Sequence, residues 1–385
     1  MTESVPGRLG YLDGLRGLAA FWVISGHACI LTGFYIPLVS SPNFAVDLFM
    51  LISGFLMYYQ ATLRSDREPF EAPSTWAYFW IRRFFRLSPV YYLALFFAIA
   101  FGLQLNEWRD AIASALPQTA TPTARYTDQS WQNIVAHLTY FFGFSPTYSY
   151  RTALPDWSIG LEMQFYLFFP ALFALGNRVG PIVAALAALG VSIGILLLFP
   201  AFTSSFEMPT LLPLKINLFL AGMMMAACLY SPRPWLYFAF GVALALLSLD
   251  GHHSYKGALI RMFCAIGVGS LAFYHKVSLP RFVFRGLDLT SRILSHRFFF
   301  WLGELSYSAY LIHLLIMLPV AAVLNHAGFT QSWLRFSLCL VIVSSITYAV
   351  SWIILRIVEE PGRALGRELI RHIKRLTERT PSVAT

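Results

Sequence analysis

The amino-acid sequence predicts an all-α membrane protein, a polytopic bundle of about ten transmembrane helices. Hydrophobic residues make up 57% of the 385 residues and charged residues only 12%, about half the charged share of an average soluble domain. Apolar runs long enough to cross a bilayer recur along the whole chain. The basic residues cluster between these runs, which argues against a nucleic-acid partner for the net charge of +9 and favours membrane lipid as the surroundings.

Ten apolar runs have the length that a bilayer crossing needs, about 17–25 residues. They are 12–32, 44–63, 88–104, 157–175, 180–200, 211–229, 234–250, 257–274, 298–324 and 333–356. We keep the first run as a span because it lacks the small-residue cleavage site of a signal peptide. A further apolar run at 131–146 is short and ends at Ser145-Pro146, so we expect a re-entrant or surface helix there.

The distribution of positive charge predicts that both termini lie in the cytoplasm. With ten crossings, the cytoplasmic segments hold 21 of the 28 Lys and Arg residues, in line with the positive-inside rule. If 131–146 also crossed, the basic cluster at 275–297 would move to the outer side. We therefore expect a transmembrane domain at 1–358 and a basic cytoplasmic tail at 359–385, whose amphipathic helix lies on the anionic surface of the inner (plasma) membrane.

The first predicted span carries three ionisable residues, Asp13, Arg16 and His27. Charge inside a membrane is costly and by default marks a functional site. Eleven residues place His27 within about 20° of the face of Arg16 and about 16 Å further along the helix. We expect both to face one cavity, with His27 near mid-depth, and Asp13 to be able to pair with Arg16. His27 is either a hydrogen-bonded structural residue or a general base.

A basic cluster, Arg82-Arg83-Phe84-Phe85-Arg86, directly precedes the third predicted span. Arg83 and Arg86 fall on one face at the expected cytoplasmic start of a helix. Guanidinium groups and a helix N-terminus both favour phosphate there. The alternative is a cluster that only sets the membrane topology.

Polar residues in three further apolar runs leave similar alternatives. Glu162 lies one turn from Ser158 and Tyr166, and a buried glutamate needs a partner or stays protonated. It can pair with an arginine or a histidine, or act as a second acid or base. Ser306, Tyr310 and His313 share one face of a later span. They, like the lone intramembrane Asp47, serve either as hydrogen-bonding contacts between helices or as the lining of a cavity.

Together these segments resemble the integral-membrane acyltransferase-3 family. The matching motifs, in chain order, are Arg16-x10-His27, Val46-Asp47-Leu48-Phe49 with Ser53-Gly54-Phe55, Arg83-x-x-Arg86, Trp157-Ser158 with Glu162 and Phe165-Tyr166, and Ser306-Tyr307 with Tyr310-Leu311 and His313. Each motif alone is weak, but five in family order from about residue 8 to 362 are specific. The resemblance implies a ten-helix enzyme that takes an acyl group from cytoplasmic acetyl-CoA or another acyl-CoA. It implies a hydroxyl acceptor on a surface or lipid-linked glycan of the cell envelope, or on a small molecule such as a macrolide.

The resemblance also suggests roles for the residues. Arg83, Arg86 and Arg16 are expected to bind the donor, and His27 is expected to act as the base. Glu162 would orient His27 or replace it, and Asp13 would balance Arg16. The expected lining of the cavity is Asp47, Trp157, Ser306, Tyr310 and His313, of which Tyr310 or Ser306 would donate to the oxyanion.

Several alternatives stay open at this level. Intramembrane acids and histidines also suit a proton-coupled transporter, although the two halves of the chain show no internal symmetry. The acyl group either passes directly to the acceptor or rests first on a residue such as His27. The four cysteines lie in apolar runs without the spacing of metal ligands, so we expect neither a metal nor a disulfide framework. The sequence indicates no oligomeric state.

Overall fold

The computed structural model describes residues 9–251 and 254–379. Within these ranges it contains helices and turns but no β-strand, which confirms the predicted all-α fold. The helices are α1 Gly10–Thr32, α2 Pro42–Arg64, α3 Pro73–Ala100, α4 Gly102–Ala115, α5 Ala124–Thr127, α6 Trp131–Leu138, α7 Trp157–Val179, α8 Pro181–Leu198, α9 Pro200–Thr203, α10 Ile216–Ala227, α11 Pro234–Leu246, α12 Tyr255–Phe273, α13 Arg281–Leu294, α14 Arg297–His326, α15 Ser332–Ile354 and α16 Glu360–Arg379. Short 3-10 turns cover Pro117–Thr119, Phe141–Phe144, Leu212–Leu214 and Tyr274–Lys276, and a π-helical turn, Leu355–Glu359, joins α15 to α16.

Eight helical segments in the described ranges are long and apolar enough to cross a membrane: α1, α2, α3, α7, α8, α12, α14 and the continuous α15–α16 segment. The predicted spans 211–229 and 234–250 correspond to shorter apolar helices, α10 and α11, of 12 and 13 residues. At 1.5 Å per residue each rises only about 18–20 Å. Lys215 directly precedes α10, and Asp250 follows the end of α11. The two residues form a buried ion pair at 2.8 Å.

The bundle has two ends, an inner end and an outer end. The inner end holds the first residues of α1 and the last residues of α2, and the positive-inside rule predicts that it faces the cytoplasm. The outer end is the opposite one. It carries α4 to α6, which follow α3.

The third predicted span begins earlier than the sequence suggested. We predicted an apolar span from 88 whose helix starts at Arg83 and Arg86, but α3 begins at Pro73 and runs through both without a break. A proline at the first helical position, with its fixed φ, is a common helix start. The charges do not end the helix because Arg83 and Arg86 point into a cavity rather than into lipid.

Two other predicted segments form helices at their expected places. The run 131–146 gives the eight-residue α6 and a 3-10 turn, too short to span a bilayer, as predicted. Residues 360–379 of the basic tail form α16, which packs against α3, and 380–385 lie outside the described residues. A Cβ added at Gly362 would lie 2.7 Å from Pro89, and one at Gly366 would lie 2.7 Å from Phe85, so the two helices are in close contact.

Glycines bring α1 and α14 into backbone contact. A Cβ added at Gly303 of α14 would lie 2.1 Å from the carbonyl oxygen of Asp13, and one at Gly17 of α1 would lie 2.8 Å from the backbone nitrogen of Gly303. Small residues allow such close approach between membrane helices. A second contact of this kind joins α2 to α10, whose twelve residues are all buried. There a Cβ added at Gly222 would lie 1.8 Å from the carbonyl oxygen of Leu51.

Replacing Gly303 by Ala should destabilise the protein, because the new methyl group must push α1 away from α14. We expect a loss of about 1–3 kcal/mol, the usual cost of overpacking, seen as a lower midpoint of thermal unfolding in detergent. Gly190→Ala in α8 is the matched control, since an added Cβ there has nothing within 4 Å. Equal midpoints for the two variants would contradict the role of Gly303.

Candidate active-site cavity

A cavity of about 840 Å³ runs into the bundle from the inner end. Its mouth is formed by the exposed Arg64, Asp66 and Arg67 at the end of α2 and in the following loop. Side chains from α1, α2, α3, α7, α14 and α16 line its walls. Seven of the predicted site residues meet here: Asp13, Arg16, Arg83, Arg86, Glu162, Ser306 and Tyr310.

Three arginines in this cavity keep unused hydrogen-bond donors. In the described part of the chain, Arg16 and Arg86 have no hydrogen-bond or ion-pair partner, so Arg16 does not form the predicted ion pair with Asp13. Arg83 is only 9% exposed. Its Nη2 donates to the side-chain oxygen of Gln60 at 2.6 Å, and its Nε has no partner. Guanidinium groups held in this way are typical of a site for a phosphate or carboxylate ligand.

The guanidinium groups alone supply this positive charge, and a helix end does not. Because α3 begins at Pro73, Arg83 lies ten residues, or about 15 Å, inside the helix. The predicted contribution of a helix N-terminus to the anion site is therefore wrong. The backbone N–H groups around Arg83 and Arg86 belong to a helix interior, where they are used within the helix.

Glu162 faces the cavity from α7. Its Oε1 accepts hydrogen bonds from the hydroxyls of Ser53, at 2.9 Å, and Tyr166. Its Oε2 has no partner among the described residues. The predicted contact between Glu162 and His27 is not formed, because the carboxylate lies in the cavity and the histidine does not.

Tyr310 closes the cavity at the end away from the mouth, together with Ser158 and Phe49. Its hydroxyl donates to the carbonyl oxygen of Pro155 at 2.6 Å and lies 2.7 Å from the hydroxyl of Ser158. Because the Tyr310 hydroxyl has one hydrogen, Ser158 donates to it. The Phe49 ring meets the Tyr310 ring edge to face at 5.7 Å. We refer to these three side chains as the ceiling.

His27 lies beyond the ceiling and forms a hydrogen bond with His313. The Nδ1 of His27 is 3.1 Å from the carbonyl oxygen of Val23 and 3.0 Å from the Nε2 of His313. The Nδ1 of His313 is 2.6 Å from the carbonyl oxygen of Tyr310. Carbonyl oxygens only accept, so the hydrogen sits on Nδ1 in both rings, and the Nε2 of His313 accepts from His27. The Nε2 of His27 is therefore left with its lone pair and has no partner in the described ranges.

The position of His27 differs from the prediction in two ways. Neither His27 nor His313 lines the cavity, although Arg16 on the same helix does. His27 is also five residues from Thr32 at the end of α1, about 8 Å, so it is nearer the outer end than mid-depth. The backbone of Tyr310 bonds to His313 while its side chain closes the cavity, so Tyr310 separates the imidazole pair from the arginines.

Comparison with known proteins identifies the family of this chain. The sequence profile of the acyltransferase-3 family, described as an acyltransferase domain, matches residues 9–356. The chain belongs to the acyltransferase-3 family. The match includes all the candidate residues above.

Individual relatives have low sequence identity to this chain or match only part of it. Protein 2 in the picA locus of Rhizobium radiobacter is 36% identical over 105 residues, which cover 27% of this chain and 51% of that protein. Acyltransferase MdmB of Streptomyces mycarofaciens is 24% identical over 94% of this chain and 93% of its own length. Peptidoglycan O-acetyltransferase OatA of Listeria monocytogenes is 28% identical over 42% of this chain. The chain thus spans about half of the picA-locus protein and 23% of OatA. No solved structure matches the chain significantly.

Asp47 and Trp157 do not line the cavity of this acyltransferase-3 protein. Trp157, at the start of α7, is buried in the apolar core. Asp47 accepts a hydrogen bond from Lys215 at 2.9 Å, and Lys215 also pairs with Asp250. Arg261 lies 3.8 Å from Asp47. A buried carboxylate requires such cations, so this cluster of two acids and two bases is a structural contact between α2, α12 and the residues next to α10 and α11.

Sequence reasoning missed several of these residues. Gln60 and Glu304 line the cavity but are single polar residues in or beside apolar runs, and Ser53, also in the lining, was noted only as part of a motif. The sequence placed Tyr166 one turn from Glu162 but gave it no role in the site. Lys215 is one of the seven Lys and Arg residues that the charge count left outside the cytoplasmic segments, although the lone Asp47 required a partner of this kind.

Replacing Lys215 by Met should destabilise the fold, since it removes the buried cation that Asp47 and Asp250 share. Breaking a buried ion pair costs about 3–5 kcal/mol, which thermal unfolding in detergent would detect. The double variant Lys215→Met/Asp250→Asn keeps the Asp47–Arg261 pair and should recover part of that loss. No recovery would argue that Lys215 acts through packing and not through its charge.

Proposed function

We propose that this protein is a membrane O-acyltransferase, which moves an acyl group from acyl-CoA, acetyl-CoA above all, to a hydroxyl of a surface or lipid-linked glycan. The proposal rests chiefly on three arginines with unused donors in one deep cavity. Coenzyme A joins several phosphates to a long, thin thioester arm. Its phosphates suit the arginines, and its arm is long enough to extend from them toward the ceiling. The charge distribution supports the inner (plasma) membrane, with the mouth of the cavity in the cytoplasm.

The lone pair on the Nε2 of His27 is suited to the proton transfer. An alcohol is a poor nucleophile at neutral pH, so a base must take its proton as the oxygen attacks the thioester carbon. The carbon–sulfur bond then breaks, an ester forms, and the thiolate leaves and takes up a proton. His313 holds the ring of His27 in the required tautomer, a task that the sequence had suggested for Glu162.

Tyr310 must move during this transfer, because it separates the donor cavity from His27. Its hydroxyl would leave the carbonyl of Pro155 and become free to donate to the oxyanion of the tetrahedral intermediate. Ser306 is less suited to that role, since its hydroxyl donates to the carbonyl of Gly303 at 2.7 Å. Direct transfer and an acyl group carried on His27 use the same lone pair, and burst kinetics with acyl-CoA separate the two.

Two acids complete the proposed site. Glu162 presents Oε2 to the cavity and is the alternative base, on the donor's side of the ceiling. Asp13 lies near Arg16 and lowers the net charge of the donor site. Together the two carboxylates offset part of the positive charge of the arginines in the cavity.

A glycan acceptor is supported by the outer surface and by one relative. Trp131 and Tyr35 are 70% and 73% exposed near the outer end, and aromatic faces suit sugar rings. OatA is named for an acceptor glycan, peptidoglycan. Mass spectrometry of surface glycans, with and without the protein, tests this choice. Unchanged glycans together with an O-acylated small molecule would identify the other acceptor class.

Replacing His27 by Ala should lower glycan acylation in a deletion strain by at least about 100-fold, the lower range for a lost general base. The protein should remain folded in the membrane. His326→Ala is the control, since His326 is an exposed residue of α14 at the same end of the bundle. Near-normal acylation by His27→Ala would assign His27 a structural role.

Replacing Arg83 and Arg86 by Gln should weaken the binding of acyl-CoA by about tenfold or more, because charge-assisted hydrogen bonds contribute about 1.5–3 kcal/mol each. Isothermal titration calorimetry on the purified protein measures this. Arg178→Gln removes one positive charge from the exposed end of α7 and should leave the binding of acyl-CoA unchanged. A transporter would instead move a solute into proteoliposomes without consuming acyl-CoA.

A further inference from the structure

The helix that follows the last span reaches into the donor cavity. Arg363, on the first turns of α16, lines the cavity together with residues of α3. The glycines on either side of it, Gly362 and Gly366, hold α16 against Pro89 and Phe85. This contact places Arg363 within electrostatic range of Arg86. A segment that the sequence suggested to be a surface tail is thus part of the cavity wall.

Arg363 keeps donors for a ligand although it has a partner. Its Nη2 donates to Glu359, a carboxylate that is 1% exposed and also accepts from Ser308 at 3.3 Å. Its Nε has no partner, and the side chain as a whole is 30% exposed. Glu359 therefore aims the guanidinium without using all five of its N–H groups.

The cavity as a whole has an excess of positive charge. Among the described residues, six arginines and four acids line it, and Arg363 is one of those arginines. Glu359, which pairs with Arg363, is not among the acids of the lining. A polyanion entering the mouth would thus meet Arg363 together with Arg86.

The far end of α16 is tied to the mouth of the cavity. Lys374 donates to Glu68 at 3.1 Å and lies 4.9 Å from the ring centre of Tyr78. Glu68 also pairs with Arg82 at 2.7 Å. Burial raises the pKa of the Glu68 carboxyl, but the hydrogen bonds from Arg82 and Lys374 outweigh it and lower that pKa below its ordinary value. Glu68 is next in the chain to Arg67 at the mouth, so these contacts hold α16 along the entrance.

We infer that α16 is part of the donor site and that Arg363 binds a phosphate of the acyl-CoA. This inference rests on the proposed function. It assigns the phosphates to a group of guanidiniums from two helices, Arg83 and Arg86 on α3 and Arg363 on α16. The thioester arm carries no phosphate and lies deeper, so Arg363 contributes to binding and not to the chemical step.

The test compares two donors that differ in their phosphates, acetyl-CoA and the phosphate-free S-acetylpantetheine, bound to the purified full-length protein. Arg363→Gln alone leaves Glu359 buried without its cation, so the main variant is Arg363→Gln/Glu359→Gln. The dissociation constant of acetyl-CoA should rise by about tenfold, as for the loss of one charge-assisted contact. That of S-acetylpantetheine should stay the same. Arg363→Lys should retain part of the affinity for acetyl-CoA.

The control variant is Arg371→Gln, on the exposed side of α16, which should bind both donors as the unchanged protein does. Equal losses for the two donors would show that Arg363 supports the fold, and no loss for either would show that it does not reach the phosphates. Each result would overturn the inference. If the unchanged protein bound neither donor, the proposed function itself would fail, and the inference with it.

Discussion

The backbone contact between α1 and α14 is the constraint on which the rest of the site depends. Gly303 lies directly against Asp13, with no side chain between the two helices. This close contact between the helices positions functional side chains at two depths along α1 and α14. Near the inner end, Arg16 faces the cavity that Tyr310 closes. Further out, His27 comes within hydrogen-bond distance of His313. A wider separation of the two helices would break the imidazole pair and open the cavity wall together.

Ionisable residues inside the bundle fall into two groups with different energetics. In the cluster around Lys215, each charge has an opposite charge nearby, so desolvation is offset within the protein. Arg16 and Arg86 have no hydrogen-bonded or ion-paired acid in the described ranges, so solvent from the mouth or a bound anion must offset most of the cost of placing them there. The first group stabilises the fold. The second group, Arg16 and Arg86, lowers the stability of the fold but favours the binding of an anion, as functional sites commonly do.

The sequence predicted the parts of the site that depend on one helix at a time. A polar residue in an apolar run must face the protein interior, which located Arg16, Glu162 and Tyr310. Contacts between distant segments could not be predicted in this way. His27 and His313 are 286 positions apart, and no periodicity pairs them. The hydropathy pattern also misplaced the start of α3, because charged side chains that face a cavity interrupt the apolar run without interrupting the helix.

The π-helical turn Leu355–Glu359 limits where this chain tolerates the insertion or deletion of a residue. Such a turn amounts to one extra residue in a continuous helix, and each residue of an α-helix advances the side chains by about 100°. The turn therefore determines which flank of the terminal helix meets α3. A one-residue deletion within the turn would rotate that whole helix, carrying Arg363 out of the cavity and the small residues beside it off their neighbours. We expect natural variation to spare the spacing here, even where it changes the side chains.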